Sequence, residues 1–384
     1  MLDAPAVNPS HAMTSALADL LRYHVAARHS PGVLVHVERA GKTLARLADG
    51  HARPGDTTPL QAGARFRIAS LTKPVLSLAA LMLVDEGRLD LDAPIGQYLP
   101  VLQDMRLKSG LRPRAAPGVR DLLRHTSGLA YPYELADPAL RAAWTNAGLA
   151  PGSAGLDSAG FLDRLARLPL VAEPGTAFRY GYSTDVLGCI VEQVEGSALG
   201  QVLQRRLFAP LGMHHTGFEF AEAELPQLPS AHAEDGSWHA MVAPIGLRKA
   251  GLPWMDSGGG GLLSTLDDYA AFARMLAHGG VVAGRRLLSE GLFAEMTRNQ
   301  LPEGVDGPAG YCGAGFGFGL GLAVRHDWGP AAMPCTAGEL TWSGISGTAL
   351  FVQPREQWFA LMFSSNMSSR MMARMEFRRA LARL

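Results

Sequence analysis

Residues 70–73, Ser-Leu-Thr-Lys, put a hydroxyl and an amine three positions apart. If a helix begins at Ser70, residues at that spacing share one face, and the Lys73 amine can meet the Ser70 hydroxyl. Pro74 does not oppose such a start, because the first helical turn has no use for its backbone donor. The N–H groups and partial positive charge of a helix N-terminus suit an oxyanion. A lysine held there and partly removed from water has its pKa pushed down and can activate a serine as nucleophile. The same four residues equally describe a serine cap followed by an exposed lysine, and short motifs arise often by chance. Lysine usage bears on the choice. The chain has 35 basic side chains, and only Lys42, Lys73, Lys108 and Lys249 are lysines. A chain that uses arginine for charge has reason to keep lysine where the amine must lose its proton, which a guanidinium cannot do.

Two other segments carry chemistry. In residues 174–188 a Pro-Gly turn leads through Phe-Arg-Tyr180-Gly-Tyr182 into an apolar helix. A tyrosine at Tyr180 suits core packing, a substrate wall, or a proton shuttle if a neighbouring ammonium favours its phenolate. Residues 340–348, Leu-Thr-Trp342-Ser343-Gly344-Ile345-Ser-Gly347-Thr, lie between strand-like segments. Their glycines mark either a bulge or a place where a ligand approaches the backbone closely.

The elements that must position these groups are legible as periodicity. Residues 32–45 alternate as a β-hairpin turning at Ala40-Gly41, behind a helix over 14–27. At the far end, 349–354 and 359–363 read as strands and 371–384 as a basic helix. Between them the pattern is helical over 71–84, 198–207 and 266–277, and 150–155 and 302–319 read as loops. We expect one catalytic unit over 1–384: an α/β lobe from both chain ends (about 1–65 and 320–384) and a mainly helical middle (about 66–319). The site should lie in the cleft between them.

Composition sets limits. Hydrophobic residues at 47% and charged residues at 18% describe a folded globular chain, and 35 acidic side chains cancel the 35 basic ones. Zero net charge gives no general attraction to nucleic acid or to a membrane surface, and no apolar run of about 20 residues spans a bilayer. The N-terminal residues lack the pattern of a secretory signal, and three scattered cysteines show neither pairing nor metal-ligand spacing. These features lead us to expect a cytoplasmic protein with a small-molecule substrate, no cofactor and no metal. His125 and the pair His214-His215 have no second ligand cluster, which assigns them to the surface or to the support of the site. No G-x-S-x-G elbow is present; residues 344–348 lack the final glycine.

Taken in order, the three segments resemble the serine β-lactamase and D-alanyl-D-alanine carboxypeptidase superfamily, with its S-x-x-K, tyrosine-bearing and K-T-G motifs. The likeness is closest to class C β-lactamases and family VIII carboxylesterases. His-Thr-Ser-Gly at 125–128, Pro-Leu-Gly-Met at 210–213, the four glycines 258–261 and Gly-Phe-Gly-Leu-Gly-Leu at 317–322 extend it along most of the chain. The resemblance implies a β-lactamase/transpeptidase-like α/β fold, an antiparallel sheet flanked by helices beside a largely helical lobe. It implies Ser70 as the acylated nucleophile, Lys73 as its activating partner and Tyr180 as the base and acid that relays the proton. The backbone N–H groups of Ser70 and Ile345 would form the oxyanion hole. Trp342, Ser343, Gly344, Tyr182 and Tyr131 would line the substrate, with Tyr133 and Trp254 as further wall residues. Two departures point to the ester-cleaving branch. Trp342 replaces the Lys or His that opens the third motif, and Tyr182 replaces the asparagine two residues after the motif tyrosine. An apolar wall suits esters of uncharged short-to-medium acids and implies weak or no β-lactam turnover. An acyltransferase of the same fold, a β-lactamase or D-aminopeptidase-type amidase, and a non-catalytic binding protein are the alternatives.

Overall fold

A computed structural model describes residues 9–152, 155–219, 224, 228–229, 252–365 and 369–382. Residues 153 and 154 of the expected 150–155 loop, and residues at both chain ends, lie outside these. The elements that matter for the site are helices α1 (Pro9–Ala26), α2 (Thr72–Asp85), α3 (Ser183–Glu195), α4 (Leu266–Ala277) and α5 (Arg370–Ala380). They are arranged about strands β1 (Gly32–Arg39), β2 (Lys42–Gly50), β3 (Phe316–Phe318), β4 (Ala323–Arg325), β5 (Leu340–Ser343), β6 (Ala349–Gln353) and β7 (Trp358–Ser364).

The seven strands form one antiparallel sheet in the order β2-β1-β7-β6-β5-β4-β3. The first and last of the described strands pair side by side, second and third from one edge, with Val33 opposite Ser364 and Arg39 opposite Trp358. The hairpin between β1 and β2 turns at Ala40 and Gly41, whose φ values of 49° and 76° are those of a turn that matches strand twist. Alternation divides the sheet's two faces. Val33, Val35 and Val37 of β1, Phe351 of β6, and Ala360 and Met362 of β7 pack under Leu17 and Leu21 of α1 and Phe377 of α5. Their neighbours Leu34, Leu350, Val352, Phe359, Leu361 and Phe363 face the larger core that contains α2, α3 and α4. Helix α4 comes from the middle of the chain yet lies on this inner face, where Arg274 holds the buried Glu38 of β1 through two 2.6 Å hydrogen bonds.

Two expectations need correction. The stretch 302–319 holds a short helix, Ala309–Cys312, and the edge strand β3, so the sheet begins before residue 320. Glycines 315, 317 and 319 hid that strand, because a side chain there would collide with neighbouring backbone or with Asn299. The helix expected over 198–207 is α-helical only at Leu199–Leu203 and widens to a π-turn over Gln204–Phe208. Among the described residues no helix is long and apolar enough to cross a membrane.

The face carrying α5 rests on an ion pair. Arg378 donates two hydrogen bonds, of 2.9 and 2.7 Å, to Glu339 just before β5, and both side chains are buried. Glu339→Ala leaves that guanidinium without its counter-charge. We expect a loss of about 3–5 kcal/mol in urea unfolding, the scale for breaking a buried pair; a loss under about 1 kcal/mol would show that the pair does not hold the helix to the sheet.

Candidate active site

Ser70 sits on a turn rather than inside a helix. Ala69–Leu71 is a single 3-10 turn, and α2 begins two residues after Ser70. Ala69 has φ of 47°, a left-handed value that costs energy for a residue with a Cβ and must be held by its surroundings. The Ile68 N–H donates to the Leu262 carbonyl, Leu262 N–H to Thr72 Oγ1, and the Tyr269 hydroxyl to the Leu71 carbonyl. Half-buried Ser70 is thereby set at the mouth of α2, with Lys73 below it.

The Lys73 side chain is 1% exposed and has no carboxylate in contact among the described residues. Its Nζ donates to the Gly259 carbonyl at 2.6 Å and to the Tyr131 hydroxyl at 3.3 Å, and lies 4.6 Å from the centre of the Tyr180 ring. Burial pushes its pKa down to about 8, against a smaller opposing effect of Asp185. Asp185, in the first turn of α3, is itself buried and reaches the same residue from its other side. It accepts from the Gly259 N–H at 2.9 Å and from Ser257 Oγ at 2.7 Å. Gly259 thus joins ammonium to carboxylate through one residue. A Cβ there would lie 2.4 Å from Asp185 Oδ2, so only glycine fits. Burial raises the Asp185 carboxyl, while Lys73, Ser257 and the Gly259 N–H draw it back down.

Tyr180 is brought to the same point by a paired loop. The Arg179 N–H donates to the His125 carbonyl and the Tyr131 N–H to the Tyr180 carbonyl, so the His-Thr-Ser-Gly segment runs alongside the second motif. His125 is buried beneath Tyr180, ring centres 4.9 Å apart, rather than at the surface; burial, and then Lys73, hold its pKa well below the ordinary value. His214 and His215 are exposed, and among the described residues no group of three metal-ligating side chains occurs. Burial raises the Tyr180 pKa, with Ser70 first and Trp342 second pulling the other way. Desolvation thus opposes a phenolate at Tyr180 and favours the neutral phenol.

The third motif closes on the Ser70 turn. Ser346 Oγ donates to the Arg67 carbonyl at 2.6 Å and Thr348 Oγ1 to the Ile68 carbonyl at 3.0 Å, pinning the turn after β5 to the turn that carries Ser70. Gly344 lies between them, where a Cβ would fall 2.3 Å from Thr348 Oγ1 and 2.4 Å from the Ile68 oxygen. Ser346 is thus a clamp, which removes the near-miss elbow as a rival nucleophile. Ile345 is exposed, and among the described residues its N–H donates to no protein acceptor.

The expected wall residues divide. Tyr131 contacts Lys73 directly, and exposed Tyr133 stacks on it with ring centres 5.4 Å apart. Trp342 is 2% exposed, enclosed by Tyr180, Tyr311 and Phe318, so it backs the wall rather than forming its surface. Tyr182 is likewise buried, stacked on Trp144 with its hydroxyl donated to the Leu149 carbonyl, and supports Tyr131 edge-on. Trp254 donates its indole N–H to Asp256. Tyr311, read as part of a loop, packs 4.7 Å from Tyr180 and donates to Glu134; the two also line a cavity of about 540 Å³ with Phe178 and Arg179.

The order and spacing of these groups agree with a match of the beta-lactamase family profile to residues 17–384. The chain belongs to the beta-lactamase family. Within that family it is similar to Esterase EstB of Burkholderia gladioli, 33% identical over 344 residues, 85% of this chain and 83% of that protein. It is also similar to Protein Rv1367c of Mycobacterium tuberculosis, 36% identical over 308 residues, 76% of this chain and 74% of that one. Among solved structures, that of EstCE1, a hydrolase with promiscuous acyltransferase activity, superposes with a TM-score of 0.83 at 28% identity, covering 97% of this chain and 99% of the other.

A buried lysine that must be neutral to accept a proton leaves a mark on the pH profile. Because its ammonium dominates below about 8, kcat/KM should rise with pH through that value and level off above it. Of the groups facing Lys73 (Ser70, His125, Tyr131, Tyr180 and Asp185), Asp185 is the one that raises its pKa. Asp185→Asn should therefore move the limb to lower pH. A limb that stays in place in the variant would dissociate Asp185 from the lysine.

Proposed function

We propose that the chain is a serine carboxylesterase that cleaves esters of uncharged, short-to-medium acids through an acyl-enzyme on Ser70. The observation that carries this reading is the Lys73 amine, buried at the foot of the Ser70 turn with a pKa of about 8 and no carboxylate in contact among the described residues. In acylation the Ser70 hydroxyl gives its proton to the neutral Lys73 amine as Oγ bonds to the ester carbonyl carbon. The resulting oxyanion lies against the N–H groups of Ser70 and Ile345. When the C–O bond to the alcohol breaks, the departing oxygen takes the proton of the Tyr180 hydroxyl, and Tyr180 is restored by the proton now on Lys73. Water repeats the sequence in deacylation and frees the acid. The raised pKa of Tyr180 suits this donor role, because the group arrives at the reaction with its proton in place.

The aromatic setting argues for the class of acid. Trp342 stands where a carboxylate-binding relative would carry a cation, and the surrounding surface is made of Tyr131, Tyr133, Tyr180 and Tyr311. The esterase and hydrolase names of EstB and EstCE1 support ester substrates. Transfer to a second alcohol in place of water is the reading next in line, favoured by the acyltransferase activity that EstCE1 carries.

The test is hydrolysis of a p-nitrophenyl ester series beside a chromogenic cephalosporin. Rapid ester cleavage that Ser70→Ala abolishes, with little cephalosporin turnover, is expected. Tyr180→Phe should cost about 100-fold or more in kcat, the scale of general acid–base catalysis. Lys73→Arg should be nearly as damaging as Lys73→Ala, since it keeps the charge and loses the titratable amine. Strong cephalosporin turnover would overturn the reading of Trp342, and an active Lys73→Arg would overturn that of the amine.

A further inference from the structure

Helix α5 carries two buried arginines one turn apart, and they are treated differently. Arg378 has its carboxylate in Glu339. Arg374, 2% exposed, has none among the described residues: its Nη1 donates to the Tyr311 carbonyl at 2.5 Å and to Ser343 Oγ at 2.9 Å, and the guanidinium also acts on the Cys312 thiol, while its Nε and Nη2 are buried without an oxygen acceptor among the described residues. A buried guanidinium with idle donors is costly, and a methionine of similar length would avoid that cost. What remains in its favour is the pair of bonds it makes, and both end at the active site. Ser343 lies between Trp342 and Gly344, at the end of the strand that leads to the Ile345 N–H. Tyr311 is the residue whose ring touches both Tyr180 and Trp342.

These two acceptors belong to separate parts of the chain. Tyr311 sits on the four-residue helix Ala309–Cys312, which is too short to fix its own orientation. Ser343 ends β5, whose pairing with β6 stops at Ala349. One nitrogen joins them from behind, and Phe351 of β6 steadies the guanidinium with its ring centre 5.9 Å away. We infer that Arg374 is a positioning residue for the esterase reaction: it clamps the end of β5 to the Tyr311 segment, and so fixes Ser343 and the Tyr180–Trp342–Tyr311 wall relative to Ser70. Lysine in its place would keep a charge but not a planar fork, and methionine would keep length without any donor.

This rests on the acyl-enzyme reading at Ser70, so the test needs a measurement that does not depend on the substrate. We would measure the rate at which a serine-directed phosphonate labels Ser70, kcat and KM for p-nitrophenyl butyrate, and the thermal midpoint. The proteins are wild type, Arg374→Met, Arg374→Lys, Ser343→Ala and the Ser343→Ala/Arg374→Met double variant. Displacing reacting groups by a fraction of an ångström to 1 Å costs up to about 100-fold. Arg374→Met should therefore lower phosphonylation and kcat together by about 10- to 100-fold with KM nearly unchanged, and Arg374→Lys should not restore them. Ser343→Ala leaves the buried helix untouched and carries the test if the arginine variants fold poorly. It should lower both rates several-fold at an unchanged thermal midpoint, and the double variant should lose less than the product of the single losses. Rates within twofold of wild type for Ser343→Ala, or losses that simply multiply, would overturn the clamp. So would a KM increase confined to an ester bearing a free carboxylate, which would make Arg374 a substrate receptor. Wild type that is not phosphonylated at Ser70 would end both readings. Phosphonylation that falls in the variants while wild type cleaves no ester would end the esterase reading alone.

Discussion

The catalytic centre depends on one buried amine that is answered by a carbonyl rather than by a carboxylate. A direct ion pair would hold the Lys73 proton firmly, since an opposite charge in contact favours the charged form. The Gly259 carbonyl gives the ammonium a hydrogen bond without a full negative charge, and Asp185 is kept one residue away, on the Gly259 N–H. The lysine is thereby solvated well enough to fold into the core and poorly enough to release its proton near neutral pH. The glycine at 259 follows from this, because the backbone itself is the ligand and must come close. So does the position of Asp185 in the first turn of α3, where the helix N-terminus offsets part of the cost of a buried carboxylate.

A second constraint is distance between two chain segments nearly 280 residues apart. The Ser70 turn and the turn after β5 must approach closely enough that their N–H groups could hold one oxygen. The two hydroxyl-to-carbonyl bonds from Ser346 and Thr348 set that approach, and Gly344 makes it sterically feasible. The sheet supplies the rigidity. β5 pairs with β6 and β4 on either side, and β6 is tied through β7 to the first strand of the chain. Sheet, Ser70 turn and third motif form one mechanical unit, and the strained φ at Ala69 is held within it.

What could be read from the sequence follows from how local each signal is. Helix α2 shows as a nearly continuous apolar run because it is buried on almost every side, α4 shows as apolar periodicity because only Asp267, Ala271 and Arg274 turn outward, and the end of α4 at Ala277 is marked by the glycine pair 279–280. The β1–β2 hairpin shows as alternation with a turn of the right chemistry. The S-x-x-K spacing and the lysine deficit pointed to Lys73 because they concern residues adjacent in sequence. The role of Asp185 was not legible: its link to Lys73 runs through Gly259, more than seventy residues away. Its one local trace is an acid in the first turn of a helix whose following residues are apolar. Strand β3 was missed because its glycines accommodate neighbours and so erase the alternation. Trp342 was identified as a wall residue, but its depth depends on Tyr311 and Phe318, which come from a segment that resembled a loop.

Burial also explains the division of labour between the two titrating groups. Removing a group from water opposes its charged form, and that form is the ammonium for lysine and the phenolate for tyrosine. A single dry pocket therefore lowers Lys73 and raises Tyr180 at the same time. At neutral to mildly alkaline pH the lysine can accept a proton, while the tyrosine still holds one to give. Neither needs a dedicated partner to reach that state. An ester reaction that takes a proton from a serine and delivers one to an alcohol calls for just such a pair, and the pair arises from packing Tyr131, Tyr180 and His125 around one amine.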